Sequence, residues 1–158
     1  MLHKVYINIG SNQGDRETAI GRAVALIEHL CGSPARRSPI IESDPWGYKS
    51  SNRFMNMGIV IMTSMPPEKM LKSLLDIEKS ISSASHRDGS GNYVDRIIDI
   101  DLIAYDDLII DSESLTLPHP RMHLREFVLR PLALLWPDWR HPILDLTAQE
   151  LLDSMTSL

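Results

Sequence analysis

The sequence predicts an α+β sandwich, and three observations carry that expectation. Short runs rich in β-branched residues occur at 5–9, 38–43, 54–63 and 97–103. Apolar residues at helical spacing fill the intervals after the first and third of these runs. No repeat or linker composition divides the chain, so one domain is expected over residues 1–158. The order strand, helix, strand, strand, helix, strand is the βαββαβ pattern of a ferredoxin-like sandwich, here with an added C-terminal hairpin and helices.

Residues 5–9 read as a strand that stops at the turn Gly10-Ser11-Asn12. Over residues 18–30, Ile20, Ala23, Val24, Ile27 and Leu30 recur at helical spacing, and Asp15 and Glu17 lie near the positive N-terminal end. Gly32-Ser33-Pro34 ends this helix. Residues 38–43 are a short second strand, and Asp44-Pro45-Trp46-Gly47-Tyr48 has loop chemistry. The third strand, 54–63, is apolar on both faces in its second half and therefore central. Ser64 is a candidate cap for a second helix whose first turn tolerates Pro66 and Pro67, and Leu71, Leu74, Leu75 and Ile81 continue it. Periodicity is lost over residues 82–92, which predicts a loop. After the strand at 97–103, Asp106-Asp107 signals a hairpin with Leu108-Ile109-Ile110 as its returning arm. The prolines make residues 115–120 extended. Helices are expected over 126–135, stopped by Trp136-Pro137, and over 147–155, capped by Thr147.

Composition narrows the function. A net charge of −5 argues against a nucleic-acid binder that works through bulk electrostatics. The single cysteine, Cys31, cannot form an intramolecular disulfide and fits a reducing compartment; its place at the end of a helical pattern suits a small core residue. The N-terminus runs into strand-like sequence without a signal pattern, and no apolar run is long enough to cross a bilayer. A cytoplasmic protein with no membrane or nucleic-acid partner is expected. It is expected to be a monomer, because no large apolar stripe is left over.

The chemistry centres on the strand at 97–103. Its side-chain period of two sends Ile98, Ile100 and Leu102 to one face and Asp99 and Asp101 to the other, with the carboxylates roughly 7 Å apart. Such a pair suits a hard divalent cation. An acidic edge strand that discourages aggregation is the other reading. Gly10-Ser11-Asn12-Gln13-Gly14 lacks the Lys-Ser/Thr of a phosphate loop, and neither zinc spacing nor a nucleophile elbow occurs. Arg87 and Arg96 flank the acidic strand, while His119, Arg121, His123 and Arg125 crowd a later segment. Carboxylates with these cations suit a polyphosphate substrate, although a basic cluster is also what a solvated helix N-terminus shows. Trp46, Phe54, Asn56, Tyr93 and Phe127 add aromatic and amide groups; singly each is more often core, but Trp46 and Tyr93 fall in loops, where a planar ligand can stack.

Several of these stretches carry a family resemblance: Ile9-Gly10-Ser11-Asn12, Phe54-Met55-Asn56, Ile77-Glu78, Tyr93-Val94-Asp95-Arg96-Ile97-Ile98-Asp99-Ile100-Asp101, Leu117-Pro118-His119-Pro120-Arg121-Met122, and Arg125-Glu126-Phe127-Val128-Leu129-Arg130-Pro131-Leu132. Through them the chain resembles the 6-hydroxymethyl-7,8-dihydropterin pyrophosphokinases of folate biosynthesis almost end to end. The resemblance implies transfer of pyrophosphate from ATP to the pterin hydroxymethyl group, with release of AMP. It implies two Mg²⁺ ions on Asp99 and Asp101, phosphate contact by Arg96, and ATP contacts by Glu78, Thr116, His119 and Arg125. It implies a pterin sandwiched between Tyr93, where the family usually has tryptophan, and Phe127. Asn56 would bond the pterin edge, and Ser43, Asp44, Trp46 and Phe54 would line its pocket. A regulatory module that binds a nucleotide without turnover, and a nucleotidyltransferase that releases pyrophosphate, are the competing classes.

One departure stands out. After the second helix the family carries Gly-Arg-x-Arg, whose arginines close over the triphosphate; Ser82, Ser83 and Ser85 align there, followed by His86-Arg87 and a longer loop. A lost charge-assisted phosphate contact costs on the order of 1.5–3 kcal/mol. Arg87 is the expected substitute, since mobile segments supply such charges. Arg87→Ala is then expected to slow turnover by about tenfold or more; a steady-state rate equal to that of the parent protein would remove Arg87 from the site.

Overall fold

Alternation along the first strand sets the architecture. In β1 (His3–Ser11), Val5, Ile7 and Ile9 enter one core and Tyr6 enters another, so the strand separates two apolar layers. The computed structural model describes residues 1–43, 53–82 and 97–156. β1 pairs antiparallel with β4 (Phe54–Thr63) along its whole length, and on its other side with β5 (Asp99–Tyr105). β2 (Arg36–Arg37) and β3 (Ile41–Ser43) both pair with β4, which gives the order β2-β4-β1-β5 with β3 also beside β4.

Helices cover both faces. α1 (Arg16–Cys31) and α2 (Pro67–Ser82) supply Ile20, Val24, Ile27, Met70 and Leu74 to the core that contains Val5, Ile7 and Ile9. α3 (Glu126–Leu135) and α4 (Ala148–Thr156) supply Val128, Leu129, Leu132 and Leu151 to the core that contains Tyr6. β6 (Ile110–Asp111) and β7 (Thr116–Leu117) form a separate two-stranded sheet, and a 3₁₀ turn, Met122–Leu124, precedes α3. Among the described residues no helix is long and apolar enough to cross a membrane.

The helix ends follow their local chemistry. Asp15 caps α1 by accepting the Thr18 N–H at 3.1 Å, and Gly32, at φ 67°, closes it with a bond from its own N–H to the Glu28 carbonyl. Thr147 and Glu150 form a reciprocal capping box at α4, at 3.2 and 3.1 Å. Ser64 is not a cap. α2 starts at Pro67, so Pro66 holds the cap position, and its carbonyl accepts the Met70 N–H at 3.0 Å.

Three further differences from the sequence reading have physical causes. Of the second strand expected over 38–43 only Ile41–Ser43 forms, and a separate short strand, Arg36–Arg37, precedes it; between the two, Ser38 donates its N–H to the Gly58 carbonyl while its hydroxyl accepts the Gly58 N–H, both at 2.9 Å. The residues after Asp106-Asp107 do not return along β5. Asp106, at φ 51°, turns its carboxylate onto the Lys4 N–H and the His3 ring, and the hairpin forms instead between β6 and β7. The fourth strand lies two residues later than expected and carries a bulge. Tyr6 faces Ala104 and Ile7 faces Leu102, so Ile103 is the extra residue. The phase changes there: Ile100 and Leu102 lie in the α1/α2 core, Ile103 and Ala104 both join the α3/α4 core, and Tyr105 returns to the first.

α3 packs closely on the sheet at Gly58. A Cβ there would stand 2.5 Å from Pro131 Cβ and 2.6 Å from the Tyr6 hydroxyl. Gly58→Ala is therefore expected to destabilise the fold by about 2–3 kcal/mol in urea unfolding. Gly21→Ala, at a position inside α1 where a Cβ meets nothing within 4 Å, should stabilise by about 0.5–1 kcal/mol; equal effects at both glycines would contradict this packing.

Candidate active site

The sheet face under α3 changes character along β1. Towards the start of the strand it carries Tyr6, Val60, Ile103 and Ala104, all buried. Towards its end it becomes polar. Asn8 lies between Asp101 and Gly58 as cross-strand neighbours, and Gly10 lies between Asp99 and Asn56. Strand parity puts all six on the α3 side. Asp99 and Asp101 are half-exposed, while Ile98, Ile100 and Leu102 are buried on the opposite face, as the period of two predicts.

Asn56 organises one side of this polar area. It is 2% exposed, and its Nδ2 donates to Ser43 Oγ at 2.7 Å and to the Ile41 carbonyl at 3.3 Å. Its Oδ1 stands over Gly10. A Cβ at residue 10 would lie 3.0 Å from that oxygen and 3.3 Å from the Phe54 ring, so glycine lets both side chains stand there. Ser43 is the cross-strand partner of Phe54. The structure thus brings Ser43, Phe54 and Asn56 together.

The other side is charged. Arg125, the N-cap residue of α3, holds Nη1 3.8 Å from Asp101 Oδ2 and lies over the Phe127 ring at 5.8 Å. Half-buried His119 donates its backbone N–H to the Ile103 carbonyl at 2.9 Å, and its Nδ1 accepts the Arg121 N–H at 3.2 Å. Burial, and then the charges of Arg125 and Arg121, pull its pKa down to about 4, with Asp99 opposing. His119 is therefore neutral at pH 7. Glu78 takes a position at the sheet edge, where Oε1 accepts the Ile100 N–H at 3.0 Å and so holds the strand that carries the aspartates. Thr116 is exposed in β7, opposite Asp111. Asp44, Trp46, Arg87, Tyr93 and Arg96 lie outside the described residues.

Two neighbours of the aspartates belong to none of the site residues expected from the sequence. Asn8 and Gly10 are the cross-strand partners of Asp101 and Asp99. The available signal was parity: a buried amide and a glycine follow Tyr6 at intervals of two, alternating with Ile7 and Ile9.

The donor set fits magnesium. Asp99 and Asp101 offer hard carboxylate oxygens from one face of one strand, and among the described residues no group of three or more His, Cys, Asp or Glu side chains is arranged to cage an ion. Mg²⁺ typically takes one or two protein carboxylates and completes its shell with substrate phosphates and water.

The His119 environment makes a signed prediction. Between its ordinary value of 6.5 and its folded value of about 4, the unfolded chain binds a proton that the native protein does not. The contribution of this residue to stability is thus constant above pH 6.5 and falls as the pH drops towards 4. In metal-free protein the ring signals of His119 should titrate near pH 4 by NMR; a midpoint at or above 6.5 would contradict a neutral, half-buried imidazole.

The chain as a whole is similar to known proteins of one family. The family model described as 7,8-dihydro-6-hydroxymethylpterin-pyrophosphokinase (HPPK) matches residues 6–137. The chain is 40% identical over 134 residues to the 2-amino-4-hydroxy-6-hydroxymethyldihydropteridine pyrophosphokinase of Bacillus subtilis (strain 168), covering 84% of this chain and 78% of the relative. It is 36% identical over 153 residues to the folic acid synthesis protein fol1 of Schizosaccharomyces pombe, covering 96% of this chain and 20% of that much longer one. Among solved structures, wild-type Plasmodium falciparum HPPK-DHPS superposes with a TM-score of 0.69 at 14% identity, covering 99% of this chain and 45% of that chain. The present chain therefore spans less than half of that structure's length, and the likeness there is one of fold. With a family model matched over residues 6–137 and a relative 40% identical across 84% of its length, the chain belongs to the 7,8-dihydro-6-hydroxymethylpterin-pyrophosphokinase family.

Proposed function

We propose that this pyrophosphokinase of folate biosynthesis transfers the β,γ-diphosphate of ATP to the hydroxymethyl oxygen of 6-hydroxymethyl-7,8-dihydropterin. The new bond joins that oxygen to the β-phosphorus. The bond from the β-phosphorus to the α,β-bridging oxygen breaks, AMP leaves with that oxygen, and the hydroxyl proton is released to water. One observation carries the reading: the half-exposed Asp99 and Asp101 share a sheet face with the Asn56–Ser43 amide group, and Arg125 stands 3.8 Å from Asp101. Carboxylates on that face suit a metal-bound polyphosphate, and Asn56, whose Nδ2 is bonded to Ser43 and Ile41, offers its Oδ1 as an acceptor to a heterocycle edge.

Asp99 and Asp101 would hold two Mg²⁺ ions, which would supply charge neutralisation for the diphosphate and lower the pKa of the attacking alcohol. The chain's own residues do the rest by positioning and electrostatics. Arg125 and the neutral His119 serve the phosphates, joined by Arg96 and by Arg87 in place of the missing loop arginines. Thr116 serves the adenosine or ribose, and Glu78 serves ATP through the strand edge it holds. Phe127 and Tyr93 stack the pterin between them, Asn56 fixes its edge, and Ser43, Asp44, Trp46 and Phe54 complete the pocket. The sheet order supports reading the first five strands and two helices as a ferredoxin-like βαββαβ unit, elaborated by β6, β7, α3 and α4 into one domain over residues 1–158. The protein acts as a cytoplasmic monomer on small molecules, without nucleic-acid or membrane partners.

Mixing the protein with ATP, Mg²⁺ and the reduced pterin should yield AMP and the pterin diphosphate; release of pyrophosphate would make it a nucleotidyltransferase, and absence of product a binding module. Asp99→Asn and Asp101→Asn, which remove charge without changing shape, should each slow turnover by about a hundredfold or more while urea unfolding stays near that of the parent. A near-normal rate in either variant would refute its place at the metal.

A further inference from the structure

α3 contains a residue that cannot complete the helix. Pro131 has no N–H, and the carbonyl it would have served is that of Phe127, one turn earlier. The carbonyl is nevertheless satisfied. Asn8, 3% exposed in β1, donates its Nδ2 to the Phe127 oxygen at 3.1 Å. Tyr6, on the same face, donates its hydroxyl to the next carbonyl, that of Val128, at 2.8 Å. Pro131 in turn sits against Gly58, the cross-strand partner of Asn8. Side chains of the central strand thus take over the anchoring of the first turn of α3.

That turn bears on the chemistry. It begins at Arg125, whose Nη1 stands 3.8 Å from Asp101 Oδ2, and it carries Phe127, over whose ring the guanidinium lies. Asn8 is itself the cross-strand partner of Asp101. One amide therefore connects the metal-binding strand to the turn that presents both a phosphate contact and a stacking surface. We propose that Asn8 is a positioning residue: its amide supplies the donor that Pro131 withholds from Phe127, and so sets where Arg125 and Phe127 stand beside Asp101. The proposal rests on the reading of Phe127 as a pterin contact.

The test is a cycle of Asn8→Ala, Pro131→Ala and the double variant, each compared with the parent. Alanine at 131 keeps the Cβ on Gly58 and restores a backbone N–H that can reach the Phe127 carbonyl. Asn8→Ala alone should raise the KM for the pterin roughly tenfold, because small displacements of a binding group are costly. In the Pro131→Ala background the same substitution should change that KM less than twofold. Hydrogen exchange at Val128 and Leu129, whose amides donate to the Arg125 carbonyl at 3.0 Å, should quicken in Asn8→Ala and recover in the double variant. A lowered Tm with an unchanged pterin KM, or an equal loss in both backgrounds, would overturn the proposal. If Asn8→Ala does not fold, Pro131→Ala against the double variant decides, and a tenfold difference in KM between them counts against it. If the parent makes no AMP, the reaction assigned above fails, while unaltered exchange in Asn8→Ala would still sink the anchoring on its own.

Discussion

How near α3 stands to the sheet governs the whole second face, and the seat of Pro131 on Gly58 sets that distance. A residue without a side chain in β4 admits the proline ring, and the Tyr6 ring closes the same space. The backbone of Gly58 is held on both its polar groups by Ser38, which is also why the chain from Arg36 to Ser43 cannot continue as one strand. β3 resumes at Ile41 and places Ser43 opposite Phe54, within reach of the Asn56 amide. The helix seat, the strand break and the amide group are thus parts of one packing solution.

The electrostatics depend on the same closeness. Arg125 is brought to the sheet by the start of α3 and spends part of its charge on Asp101, which also offsets the cost of its burial. His119, with Arg125 and Arg121 close by, is driven neutral by burial and by their charge, and its Nδ1 serves as an acceptor for the Arg121 N–H. The face therefore presents two carboxylates and guanidinium groups, with an uncharged imidazole beside them. Carboxylates that would repel bare phosphate become binding groups once a divalent cation bridges them.

Much of this was legible in the chain, and the hidden features share one cause. The strand Phe54–Thr63 and the helix Glu126–Leu135 have the limits their periodicity implies, because each is bounded by a change of pattern and the helix ends at Trp136-Pro137. The shared face of Asp99 and Asp101 follows from a period of two over three residues, too short a span for twist to blur. The phase change at Ile103 could not be read, since Leu102, Ile103, Ala104 and Tyr105 are all buried and alternation has no contrast there. At Asp106-Asp107 the turn itself is real, with the Leu108 N–H bonded to the Tyr105 carbonyl, so the local signal is sound although the hairpin forms elsewhere. The direction the chain takes beyond that turn is decided by Lys4 and His3, about a hundred residues earlier in the sequence. The Arg125–Asp101 pair, the state of His119 and the bond from Asn8 to Phe127 are likewise long-range contacts, which no local pattern encodes.

The two-sided sheet has an evolutionary corollary. Val5, Ile7, Ile9, Ile59 and Ile61 face α1 and α2, whereas the candidate chemical groups lie on the reverse of the same strands. Exchanges among α1 and α2 residues alter how tightly that layer packs, and the hydrogen-bonded ladder between the layers absorbs small adjustments. Apart from Glu78, which holds the Ile100 N–H, that layer is then constrained mainly to remain apolar and of similar volume. The reverse side is held in place residue by residue, since at Gly10, Gly58, Asn8 and Asn56 neither bulk nor polarity can be traded.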